Sequence, residues 1–142
     1  MATLVDTNVL IDLFDAGSSW EDWSIHTIER LRSEGPIIVN QVVYAEMAAG
    51  FASEAALETA LSPSRFLRED LPWEAAFAAG HAFLAYRRGG GAKRSPLPDF
   101  YIGAHAAIRG YSLLTRDQDR YRAYFPLLRI VSPETHPMGS NR

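Results

Sequence analysis

A chain of 142 residues, 47% hydrophobic and 22% charged, has the size and balance of one globular domain around a single core. It holds no cysteine, which excludes disulfides, thiolate metal sites and a cysteine nucleophile. The net charge of −3 argues against a general nucleic-acid coat, which needs a basic surface to displace phosphate counterions.

No apolar run approaches the ~20 residues of a membrane span. The amino terminus MATLVDTNVLIDLF lacks a basic leader region and is interrupted by Asp6, Asn8 and Asp12, so no secretory signal and a cytoplasmic location are expected.

Short apolar runs alternate with stretches of helical period, the pattern of βα units around a parallel sheet. Strands are expected at residues 2–5, 37–39, 65–69, 112–114 and 129–131. Helices are expected at 7–14, 21–34, 41–49, 53–61, 73–87, 99–109 and 119–124. Ser19 is read as the cap of the second helix with Asp22 as its partner, Ser53 as opening the fourth, and Gly110 as ending the sixth. In the long alanine-rich helix, Phe77, Phe83 and Leu84 are assigned to the buried side. The fold class is α/β, a mostly parallel five-stranded sheet flanked by helices, over residues 1–133, with a polar tail at 134–142.

Four acids stand at the joints of this pattern. Asp6 follows the first strand, Glu46 lies in the helix NQVVYAEMAAG, Asp99 heads the helix PDFYIGAHA, and Asp117 follows the strand SLLT. In a parallel sheet the carboxyl ends of the strands meet on one edge, so such acids converge although distant in sequence. Like charges held together call for a cation, and a hard divalent ion prefers carboxylate oxygen. Each acid also has a plain alternative: Asp6 and Asp99 as helix caps, Glu46 as a surface charge beside a face buried through Val42, Val43, Met47 and Ala48. Asp119 can share or take the role of Asp117, or cap the last helix, and Asp12 and Asp15 read as helix-surface charges.

LVDTNVLID at the start, the acid of VVYAEM, PDFYIGAHA and the late LLTRD together resemble the PIN-domain ribonucleases, and among them the VapC-type toxins of toxin–antitoxin pairs. The resemblance covers residues 2–131 and implies a three-layer sandwich. It implies that Asp6, Glu46, Asp99 and Asp117 form an acidic quartet supported by Asn8 and Thr115. Asp6 and Asp99 are then the firmest ligands of one or two Mg²⁺ or Mn²⁺ ions, Asp117 a direct or water-mediated ligand, and Glu46 a ligand or a base orienting water. The implied reaction is RNA cleavage to 5′-phosphate and 3′-hydroxyl ends. The implied partners are RNA, a second copy of the chain, and an antitoxin lying along the first helices near Phe14, Trp20, Trp23 and residues 41–57, reaching an arginine into the acids.

Among the arginines, Arg88, Arg94, Arg116, Arg120 and Arg122, with the only lysine, Lys93, are candidates for steering RNA. The four histidines, His26, His81, His105 and His136, show no HExxH or paired zinc spacing and are read as packing or surface groups. Two other readings remain. A haloacid-dehalogenase-type magnesium phosphatase also begins with an aspartate after its first strand, but wants a second acid where this chain has Asn8. A non-catalytic interaction domain would use the acids only to bind Mg²⁺ or to cap helices.

Overall fold

The computed structural model describes residues 1–92 and 97–138; Lys93, Arg94 and the end of the tail lie outside the described residues. Five strands, β1 (Thr3–Val5), β2 (Ile37–Val39), β3 (Leu67–Arg68), β4 (Ser112–Leu114) and β5 (Ile130–Val131), form one sheet in the order β3-β2-β1-β4-β5. Every neighbouring pair is parallel, with Leu4 opposite both Ile38 and Leu113. β1, β2 and β4 are buried along their whole length, as expected where helices cover both faces of a sheet.

The chain lays β1, β2 and β3 outward in one direction, then returns across β1 to add β4 and β5 on the other side. The switch point of the sheet therefore lies between β1 and β4, where the connections leaving the carboxyl ends diverge and open a crevice.

The described helices are α1 (Thr7–Phe14), α2 (Glu21–Arg32), α3 (Gln41–Ala48), α4 (Glu54–Ala60), α5 (Trp73–Arg88), α6 (Pro98–Arg109) and α7 (Gln118–Arg122). Ser53 caps α4 by accepting the Ala56 N–H, and Gly110, at φ 71°, ends α6 in the left-handed conformation that glycine adopts without strain. The cap of α2 differs from expectation. Trp20 holds the capping position, and Ser18 rather than Ser19 supplies the hydroxyl that accepts the Trp20 N–H.

The buried face of α5 is also corrected. Phe77 and Leu84 are exposed, and Ala75 and Ala79 are buried against α6 with Phe100 and Ala104. Only small side chains let two long helices approach closely, so the alanines take the inner face and the larger apolar residues go outward. On α3, Val43 and Met47 are buried as expected but Ala48 is exposed. Gly103 sets the last packing step: a Cβ there would stand 2.6 Å from Phe125 Cε2 and 3.0 Å from Tyr121 Cδ1. Without one, both rings lie directly on α6, which carries Tyr121 to the crevice.

Candidate active site

Asp6 is the residue at which β1 becomes α1. It occupies the capping position of α1, yet its side chain makes no capping bond. Instead its Oδ2 accepts the Thr115 hydroxyl at 2.8 Å, from the end of β4, and the Tyr121 hydroxyl at 2.9 Å. The side chain is buried, and burial lifts its pKa from 3.8 to about 6; the nearby charge of Asp99 adds to this, while Thr115, Tyr121 and the Thr7 backbone N–H oppose it. The plain alternative for Asp6, a helix cap, is thereby set aside.

Asp99 lies in the first turn of α6, after Pro98. Its Oδ1 accepts from the same Tyr121 hydroxyl at 3.3 Å, so one phenol stands between two carboxylates. Burial, followed by the charges of Asp6 and Asp99, pushes the Tyr121 phenol well above its ordinary range and keeps its proton in place. On the outer side, Arg120 Nη1 reaches Asp99 Oδ2 at 2.7 Å while Nη2 reaches Asp117 Oδ2 at 2.8 Å. Asp117 holds the capping position of α7, and its N–H donates to Thr115 Oγ1, which links it to the group that orients Asp6. Asp119 stands exposed in the first turn of α7 and does not cap it, a correction that leaves Asp117 as the acid facing Arg120.

Glu46 is exposed at the rim, where its Oε1 accepts the Thr7 hydroxyl at 2.5 Å, and it lines the same cavity as Asp99, Arg120 and Tyr121. Asn8 turns away from the acids and accepts the Arg116 N–H at 3.4 Å. Arg116 donates to Asp12 at 2.6 Å and lies over the Trp20 ring at 5.6 Å. Asp12, expected on the surface, is buried and also accepts from Ser18 and Ser24. Arg88 is exposed at the end of α5.

Tyr121 is a neighbour of the acids that was not legible in the sequence, whereas Arg120, expected to steer RNA, is found paired with two of them. Asn40, also unforeseen, supports the helix that bears Glu46. Asn40 ends β2 as Asp6 ends β1, and this shared strand-end position was the available signal. Its Oδ1 caps α3 at the Val43 N–H and its Nδ2 meets His105 Nδ1 at 3.0 Å. His105 is fully buried, as a packing histidine, and burial lowers its pKa although Glu69 lies 3.4 Å away. This network fixes the start of α3, and with it the helix bearing Glu46.

Among the described residues, no three His, Cys, Asp or Glu side chains stand close enough to form a finished cation cage. Arg120 bridges Asp99 and Asp117 and neutralises both on the outer side of the cluster. The donor chemistry nonetheless suits a hard divalent ion: all groups offer oxygen, and Asp6 is a buried carboxylate crowded by a like charge, with no cationic partner among the described residues.

An α/β sheet with acids gathered at its switch point defines a class of fold and site, and the family follows from it: the PIN-domain model matches residues 3–126, so the chain belongs to the PIN domain family. A chain of the DNA-bound VapBC2 complex of Rickettsia felis shares the fold with a TM-score of 0.72 at 19% identity, over 93% of this chain and 98% of that one. A toxin–antitoxin complex from Klebsiella pneumoniae gives 0.62 at 26% identity, over 92% and 97%. VapC20 of Mycobacterium tuberculosis, a toxin that cleaves the sarcin–ricin loop, gives 0.52 at 17%, over 78% and 85%. No curated protein matches the chain in sequence.

Proposed function

We propose that this PIN domain is a divalent-cation-dependent endoribonuclease, the toxin of a toxin–antitoxin pair. The observation that carries the chemistry is the crowding of Asp6 and Asp99 around the one Tyr121 hydroxyl at the β1–β4 crevice. Asp6 and Asp99 would hold Mg²⁺ or Mn²⁺, one or two ions, joined by Asp117 directly or through water once Arg120 swings out. Glu46 is a further ligand or the base that orients water. When bound, such an ion supplies neutralising charge to the phosphodiester and acidifies the attacking water. Thr115 keeps Asp6 in one orientation and Thr7 does the same for Glu46. Cleavage is expected to leave 5′-phosphate and 3′-hydroxyl ends.

Phosphate steering falls to exposed Arg88 and to Arg120 as it leaves the acids, since Arg116 is engaged by Asp12. The phosphatase alternative lacks support: the position two after Asp6 is an amide bonded to backbone, where that chemistry needs a proton donor. An interaction domain using the acids only as caps is equally poorly served, because Asp6 caps nothing.

Two surfaces support the proposed partners. On α1 Val9 and Leu10 are buried while Ile11 is exposed, and Ile11, Phe14, Trp20 and Ile25 leave apolar surface on the first two helices. Beside them a cavity of about 410 Å³ is lined by Leu13, Phe14, Ile25 and Phe66. An apolar antitoxin segment is the proposed occupant, its arginine taking over the carboxylates that Arg120 now holds. Trp73, Phe77 and Leu84 form an exposed stripe on α5 that suits a second copy of the chain.

Incubating the purified protein and its Asp99→Asn variant with RNA and Mg²⁺ or Mn²⁺ tests the central claim. Metal-dependent cleavage by the parent alone is expected; equal cleavage by both would remove the site.

A further inference from the structure

Beside the acids lies a cavity of about 470 Å³ with a wall of two characters. One side carries Glu46, Asp99 and Arg120; the other carries Tyr86, Tyr124 and Phe125. Phe100 is buried beneath the aromatic side, with the Tyr124 ring edge-on to it at 5.2 Å and the Tyr86 ring at 5.7 Å. Tyr86 and Tyr124 are themselves only half-buried and both line the cavity, the Tyr86 ring being braced from behind by Phe83.

We propose that this cavity takes one nucleobase of the RNA, the base next to the phosphate that the acids cut, and holds it by stacking against its tyrosine side. The proposal rests on the ribonuclease reading above. Its geometric basis is continuity: Asp99 and Arg120 belong both to the acid cluster and to the cavity wall. A phosphate seated there carries its own base within one sugar of Tyr86 and Tyr124. The volume lies within the roughly 300–1,000 Å³ typical of small-ligand pockets.

Electrostatics points the same way. Carboxylates repel a phosphodiester, and a chain with a net charge of −3 has little long-range attraction for RNA. Part of the binding has to be non-ionic, and stacking of a base on tyrosine supplies it for any base, because every base presents a π face. A base inside a duplex is already stacked and paired, so reaching this cavity would require extruding it. Unpaired loops and ends avoid that cost.

The test uses a single-stranded oligoribonucleotide carrying 2-aminopurine, whose fluorescence falls on stacking, with the Asp6→Asn protein so that the RNA stays intact. Quenching is expected with the single strand and not with the same strand annealed to its complement. Tyr86→Leu/Tyr124→Leu in that background should bind about tenfold more weakly and lose the quench, while Tyr86→Phe/Tyr124→Phe keeps both. Unchanged binding by the leucine pair, equal losses in the phenylalanine pair, or equal binding of duplex would each overturn the assignment. Cleavage by the otherwise native protein is measured alongside. Intact cleavage with an indifferent leucine pair sinks the base site and leaves the ribonuclease; a leucine-sensitive quench with no cleavage of any RNA keeps the base site and sinks the ribonuclease.

Discussion

Asp6 and Asp12 lie six positions apart at the start of the chain and are both buried to 3% exposure, yet the protein treats them in opposite ways. Asp12 receives Arg116 at 2.6 Å together with the hydroxyls of Ser18 and Ser24. Asp6 receives the hydroxyls of Thr115 and Tyr121 and the Thr7 N–H, has no cationic partner among the described residues, and faces a second carboxylate, Asp99. A buried carboxylate given the chain's own cation is a closed structural contact that ties β4 to α1 and α2. One denied a cation stays costly until something outside the chain supplies it, and functional sites are where such costs are kept.

The largest effect expected from this contrast is on cleavage. Asp6→Asn and Asp99→Asn should each lower metal-dependent RNA cleavage by more than the roughly 10–100-fold that loss of a ligand's supporting partner costs. Asp12→Asn should leave the chemistry within a few-fold, about the scatter of a surface change. Rates measured under single-turnover conditions on one RNA decide it, and comparable losses at positions 6 and 12 would erase the distinction.

The next effect is a pH dependence with a definite sign. Asp6 titrates near 3.8 in an unfolded chain and at about 6 in the folded one. The folded state therefore keeps a proton that the unfolded chain releases between about pH 4 and 6. Stability conferred by that proton falls as pH rises through this window and is gone above it, a change of about 3 kcal/mol. Urea unfolding in the presence of a chelator should show this slope in the parent and its loss in Asp6→Asn. Added Mg²⁺ should recover stability above pH 6 in the parent alone, by binding the folded state. Identical profiles for parent and variant would mean that Asp6 is not burdened as described.

Asp12→Ala comes next, at a cost of about 2 kcal/mol. A fully buried pair would cost more, but Arg116 is 29% exposed and water can take over part of its hydration. The midpoint of unfolding at neutral pH should fall. A silent Asp12→Ala would show that the Arg116 contact is dispensable.

These two aspartates also mark how far the sequence could be read. The strands were legible because short apolar runs ended sharply in polar residues, and the gathering of Asp6, Asp99 and Asp117 at one edge follows from parallel strands alone. Asp12 was misread as a surface charge because its partners from elsewhere in the fold, Arg116 and Ser24, leave no mark on the helix itself. The same difficulty inverted α5: helical period marks a stripe but not its direction, and close packing on α6 selected Ala75 and Ala79 over Phe77 and Leu84. Tyr121 escaped notice because its position depends on α7 settling onto Gly103 of α6, a contact between segments with no local signature.

The smallest expected effect is also the most discriminating, because it makes one chemical change in both regions. Ser24→Ala and Thr115→Val each remove a hydroxyl donor from a buried aspartate: Ser24 stands 3.1 Å from Asp12, and Thr115 stands 2.8 Å from Asp6. Each should cost about 1 kcal/mol of stability, the usual worth of such a bond. Ser24→Ala should stop there, since Arg116 and Ser18 still hold Asp12. Thr115→Val also removes the acceptor of the Asp117 N–H, loosening two acids at once, and should slow cleavage about tenfold. Measuring unfolding and cleavage for both variants separates stability from positioning. Equal effects on cleavage would show that Thr115 only packs, and the contrast between the two aspartates would then rest on Arg116 alone.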